Sequence, residues 1–251
     1  MRLKIFYNYS PNFNSIKRKK TQIKFLIFHY TGMKKESNAI KKLTSLGSDV
    51  SCHYFIKKNG EILLLVPDLY IAWHAGKSRW KHYKSLNINS IGLEISNPGH
   101  DYKYKKFSKK QIQSIIKLSK ILIKKYNINS KNILGHSDIS PERKKDPGEK
   151  FPWKELAKVG VGLWHSVSIR TCKKNRKIQL DKISVRLFYN NLSKIGYTIK
   201  KTINLKNRKF NNNVVKAFQR RFRQELVNGK LDKECLIISN NLAKKNVYKI
   251  S

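Results

Sequence analysis

The chain has 251 residues, and its 55 Lys and Arg outnumber 15 Asp and Glu to give a formal net charge of +40. That balance excludes an acidic disordered protein, and 39% hydrophobic residues suffice for real cores. Cys52, Cys172 and Cys235 are scattered with no Cys-x-x-Cys pair, which excludes a disulfide framework and a thiolate metal site, and no uncharged stretch is long enough to span a bilayer.

Met1 to Tyr9 carries charge but precedes no apolar run and no early cysteine. No export signal is read there, and a cytoplasmic location is expected from this stretch. Ile23 to His29 then reads as a buried strand, with Ile23, Phe25, Ile27 and His29 on one face by period-2 counting. Ser37 or Asn38 caps an expected helix carrying Ala39, Ile40, Leu43 and Leu46, ended by Gly47. Cys52–Lys57 and Glu61–Val66 flank an Asn59-Gly60 turn and read as a β-hairpin. In the next strand Ile91, Leu93 and Ile95 face one side and Glu94 the other. A long helix starts at Ser108, with Gln111 as its capping-box partner and Ile112, Ile115, Ile116, Leu122, Ile123 and Tyr126 on its stripe. Asn132 to Leu134 is a short strand opening onto the loop Gly135 to Gly148.

Strands separated by helices, with one hairpin among them, predict an α/β fold with a mixed central β-sheet flanked by helices over residues 1–165. Residues 166–251 read as a small three-helix domain. Its helices begin at Asp181 (Ile183, Leu187, Phe188, Leu192, Ile195), run through Val214 to Phe222, and begin again at Asp232 (Leu236, Ile237, Leu242), with Lys200 to Asn213 as a loop. Lysines make up 44 of the 55 basic residues and are spread through an Ile- and Asn-rich chain. The charge is therefore read chiefly as compositional drift. No specific nucleic-acid partner is expected, although such a surface attracts anionic polymers.

The chemistry-bearing residues sit at strand ends. His29 ends an apolar strand, His136 leaves another, and Asp146 returns ten residues later on a Pro-Gly turn. Two imidazoles and a carboxylate make a zinc ligand set with a fourth position open for water. Glu94 is a general-base candidate and Lys144 a candidate cation for an oxyanion. His82, His100 and His165 lie in polar or boundary stretches and are expected to be solvated.

Five ordered segments then carry a resemblance: Phe28-His29-Tyr30-Thr31, Ser51-Cys52-His53-Tyr54, Ala72-Trp73-His74-Ala75-Gly76, Ile91-Gly92-Leu93-Glu94, and Gly135-His136-Ser137-Asp138 through Arg143-Lys144-Lys145-Asp146-Pro147-Gly148. The chain resembles the zinc-dependent N-acetylmuramoyl-L-alanine amidases of the type 2 family, relatives of peptidoglycan recognition proteins. The resemblance implies one zinc held by His29, His136 and Asp146, with Glu94 as base and Lys144 as oxyanion stabiliser. It implies substrate contacts at His74, with Trp73, Ala75 and Asn97 as further candidates; His53, on a strand beside Tyr54, is expected to be structural. It also implies a peptidoglycan or muropeptide substrate and a place in the periplasm or cell envelope; a monomer is assumed. The tail from Val214 to Arg223 with Asn228-Gly229 is similar to the peptidoglycan-binding-like domain of longer members. A non-catalytic peptidoglycan-binding protein is the alternative.

Overall fold

The computed structural model describes residues 3–199 and 208–247. Ten strands are placed in chain order: β1 (Ile5–Tyr7), β2 (Phe13–Asn14), β3 (Phe25–Tyr30), β4 (Tyr54–Ile56), β5 (Ile62–Leu64), β6 (Ile71–Ala72), β7 (Arg79–Trp80), β8 (Tyr83–Lys84), β9 (Ser90–Ile95) and β10 (Ile133–Gly135). The helices are α1 (Glu36–Thr44), α2 (Lys109–Tyr126), α3 (His136–Ile139), α4 (Trp153–Lys158), α5 (Ile169–Asn175), α6 (Lys182–Ile195), α7 (Arg208–Phe222) and α8 (Lys233–Val247).

Six strands form the central sheet in the order β1-β5-β4-β9-β3-β10. Only the hairpin pair β4–β5 is antiparallel; every other pairing in the sheet is parallel. The predicted mixed sheet with flanking helices is therefore the fold. Strand alternation divides the core between two faces. Leu26, Phe28, Ile91, Leu93 and Ile95 face α2, packing on Ile115, Leu118 and Leu122 with Phe151 and Trp153 beside them. The opposite face carries Phe25, Ile27 and Leu134, and its cover comes from Phe188, Leu192, Val214 and Phe218 of α6 and α7. On that same face, α1 lays Ala39 and Leu43 over Phe55 and Leu63. Each fully buried Phe or Ile contributes roughly 1.5–3 kcal/mol, so the helices beyond residue 165 are a principal source of cohesion for the sheet.

Local signals settle several elements. Ser108 accepts from the Gln111 amide while the Gln111 side chain accepts from the Ser108 amide, closing the capping box of α2. The Asp181 carboxylate caps α6 through Ser184 N–H, and that of Asp232 accepts from Cys235 N–H at the start of α8. Other expectations need correction. Leu46 follows α1 at 87% exposure, and Ile183 of α6 is 78% exposed, because the buried stripe of α6 runs through Phe188, Leu192 and Ile195 instead. α7 begins at Arg208, so the expected loop is helical from there; Lys200 to Asn207 lie outside the described residues. Beyond residue 165 a fourth helix, α5, precedes the three expected ones; it buries only Cys172 and so carries no apolar stripe to read.

Candidate active site

Parallel pairing aligns the carboxyl ends of three strands, the edge where open α/β sheets bind ligands. His29 on β3 pairs with Glu94 on β9. Gly135, the last residue of β10, pairs with Phe28, so His136 follows at the level of His29. The loop after α3 returns Asp146 to the same point, and Ser137 N–H donates to the Asp146 carbonyl at 2.8 Å.

The three side chains converge. His29 Nδ1 lies 2.9 Å from His136 Nδ1 and 3.1 Å from Asp146 Oδ2, and His136 Nδ1 lies 3.0 Å from that oxygen. All three residues are buried. Burial, then the neighbouring His136, lowers the His29 pKa to about 4 despite the attraction of Asp146. Burial works against ionisation of Asp146, but the two imidazoles outweigh it and hold the carboxyl well below its usual range. Neutral imidazoles and a carboxylate are the donor forms a divalent cation needs. Tetrahedral zinc with ligands at about 2.0–2.1 Å spaces its donors about 3.4 Å apart, so a few tenths of an ångström of expansion fits this triangle to the ion.

Hydrogen bonds behind the triangle decide which nitrogens face it. Leu86 O is an acceptor only, so Ser90 Oγ donates to it at 2.5 Å and accepts from His74 Nε2 at 3.1 Å. His74 Nδ1 is then a lone pair and accepts from His29 Nε2 at 3.0 Å, leaving His29 Nδ1 unprotonated toward the site. His74 stays neutral: burial, reinforced by His29, His53 and Arg18 among others, holds its pKa well below the usual value. His136 Nε2 donates to Ala75 O at 3.1 Å, which likewise frees its Nδ1. Arg143 Nη2 donates to the same carbonyl at 3.1 Å. The His74 ring lies over Gly92, where an added Cβ would fall 2.4 Å from His74 Cγ.

A cleft of about 440 Å³ opens over the triangle and is lined in part by Tyr30, Trp73, His74, Glu94, Lys144 and Asp146. Glu94 Oε2 has no hydrogen-bond partner. Burial, and secondarily the charge of Asp146, push its pKa up to about 8 against the opposing pull of Lys144. The half-buried Trp73 indole donates to Asn14 at 2.9 Å while its ring borders the cleft. Asn97 is placed elsewhere: its side chain donates to Lys105 O and accepts from Gly99 N–H. His53 Nδ1 accepts from Gly92 N–H, tying β9 to the segment before β4. His82 is exposed, but His100 is not simply solvated. It bridges Tyr30 Oη and Glu149 and stacks on Tyr104. His165 contacts Phe222 O at 3.2 Å. Sequence reasoning missed Ser90 and Arg143; the one available signal was Gly92 within an apolar strand, a mark of close approach.

The sequence profile of the N-acetylmuramoyl-L-alanine amidase family matches residues 19–149. N-acetylmuramoyl-L-alanine amidase AmiD of Escherichia coli is 34% identical over 89% of this chain and 83% of its own length. The E. coli 1,6-anhydro-N-acetylmuramyl-L-alanine amidase AmpD is 39% identical over 41% of this chain and 55% of its own. The fold is similar to AmiD in complex with anhydro-N-acetylmuramic acid-L-Ala-D-γ-Glu-L-Lys, with a TM-score of 0.77 over 89% of this chain and 90% of that one. AMPDH3 from Pseudomonas aeruginosa, 30% identical, also gives 0.77 over 97% of this chain and 99% of that one. A family profile covering half the chain and a relative spanning nearly all of it agree, and the chain belongs to the N-acetylmuramoyl-L-alanine amidase family.

Proposed function

We propose that this amidase cuts the amide between the lactyl group of N-acetylmuramic acid and L-alanine in muropeptides, at a zinc site held by His29, His136 and Asp146. The observation that carries this reading is the triangle of donor atoms at 2.9–3.1 Å beneath the cleft that Glu94 enters. Zinc, when bound there, supplies a Lewis acid that lowers the pKa of a water and polarises a carbonyl.

The residues of the chain divide the remaining work. Glu94 takes a proton from the attacking water and later returns it; its Oε2 has no hydrogen-bond partner within the protein and is available for that exchange. The same proton goes to the departing L-alanine amine. Lys144, on the cleft wall, meets the oxyanion as the lactyl carbonyl becomes tetrahedral. Trp73 offers a flat apolar face to the substrate, and the His74 and Ala75 positions act through the hydrogen bonds that orient the ligands. Residues 1–165 would be the catalytic part and residues 166–251 a helical part with peptidoglycan-binding-like ancestry. Among the described residues no helix is long and apolar enough to cross a membrane. The relatives named for anhydro forms support a muropeptide, the anhydro sugar included, as the substrate.

The test is mass spectrometry of products after incubation with defined muropeptides, intact and anhydro, with and without a chelator. Release of a free stem peptide beginning with L-alanine, abolished by the chelator and restored by zinc, is the expected result. Absence of release from both substrates by zinc-loaded protein would overturn the reading.

A further inference from the structure

The turn that carries His136 is held from outside the sheet. Asp138, two residues on in α3, is almost fully buried, and its carboxylate accepts three hydrogen bonds from the two halves of the chain. Within its own half it accepts from Gly135 N–H at 2.8 Å, at the junction of β10 and α3. From the helical half, Arg221 Nη1 donates to Oδ2 at 2.6 Å and Tyr197 Oη donates to Oδ1 at 2.5 Å. A further hydrogen bond closes the loop through the strand: Arg221 Nη2 donates to Ile133 O, the first carbonyl of β10, at 2.8 Å.

Both cross-domain donors are themselves fixed. The Arg221 guanidinium lies 4.5 Å over the Trp153 ring. Tyr197 packs on Trp80 and follows the end of α6 at Gly196, whose carbonyl accepts from Lys81 N–H at 2.7 Å. A planar guanidinium spanning a carboxylate and a carbonyl sets orientation as well as distance. The clamped turn in turn reaches two ligands of the triangle: His136 begins it, and Ser137 N–H holds the Asp146 carbonyl.

We propose that Arg221 and Tyr197 are positioning residues of the metal site, so that the helical half completes the catalytic geometry in addition to any glycan contact it makes. This rests on the reading of His29, His136 and Asp146 as metal ligands. Partners that hydrogen-bond a ligand directly commonly change metal affinity 10–100-fold when lost, and Arg221 and Tyr197 act one step further out, through Asp138.

The experiment uses the full-length chain and measures zinc affinity by chelator competition, with kcat and KM on a muropeptide, for Arg221→Gln, Arg221→Lys and Tyr197→Phe. The control is Arg176→Gln, which breaks the Arg176–Glu234 pair within the helical half and touches nothing near Asp138. We expect Arg221→Gln and Tyr197→Phe to weaken zinc binding roughly tenfold and to lower kcat with KM within about twofold, with Arg221→Lys partly restored. Arg176→Gln should lower the unfolding midpoint and leave zinc affinity unchanged. Zinc affinity within about twofold of the parent in Tyr197→Phe would overturn the proposal, including where Arg221→Gln does not fold. His29→Ala separates the two readings: if it retains full zinc affinity, the ligand assignment fails; if it loses zinc while Tyr197→Phe does not, only the clamp fails.

Discussion

His29 and His74 meet edge to face with ring centroids 5.1 Å apart, and His29 Nε2 sits 3.0 Å from His74 Nδ1. The second imidazole therefore fixes which nitrogen of the first is free, and Ser90 fixes the second in turn. The proton order runs along one face of β9 and β3, because Ser90, Gly92 and Glu94 register with Phe25, Ile27 and His29.

Breaking that order should weaken the metal site without removing a ligand. Ser90→Ala lets His74 change tautomer, and Gly92→Ala drives a methyl group into its ring. Each is expected to reduce zinc affinity by about 10–100-fold, read by competition with a chromophoric chelator.

Glu94→Gln and Asp146→Ala should differ in kind. The first keeps the shape of the cleft and all three ligands but cannot take a proton, so kcat falls by about 10²–10⁴ with zinc content unchanged. The second loses a ligand and with it both zinc and turnover. Metal analysis beside a turnover assay distinguishes the two.

Zinc should stabilise the folded chain by mass action, since the three donors come together only on folding. At a free concentration a hundredfold above Kd the gain is about 2.7 kcal/mol, seen as a higher thermal midpoint. The shift should vanish in His136→Ala.

Asp68 gives a pH dependence far from the cleft. Burial alone would raise its pKa, but donation from Lys125, Tyr126 and Tyr54 at 2.6–2.7 Å outweighs it, and the pKa is lowered. A carboxyl whose folded pKa lies below its unfolded value of about 3.9 contributes stability above that pH and loses it as pH falls through the folded value. Urea titrations of the metal-free protein should show the midpoint dropping between pH 5 and pH 2. Asp68→Asn should make that segment less steep than in the parent and cost about 1–3 kcal/mol at pH 6.

Much of this protein was legible in the sequence because the signals are local. The Asn-Gly hairpin, the Ser108–Gln111 box, the Asp181 cap and the alternation in β3 and β9 each depend on residues within one or two turns. Five ordered motifs also brought the ligand triad and Glu94 forward as candidates before any geometry was known. What only the tertiary structure decided is the convergence of groups distant along the chain. His100 reads as a surface histidine until Tyr30 and Glu149 arrive from 70 and 49 residues away. The link from Ser90 through His74 to His29 has no trace in the sequence, because its three members lie on separate elements. Asp138 is one carboxylate in a polar loop until α7 brings Arg221 across 83 positions. Periodicity reports which face of an element is apolar. Hydrogen-bond direction, tautomer and clamp geometry arise only when separate elements meet in a buried space where every donor must find an acceptor.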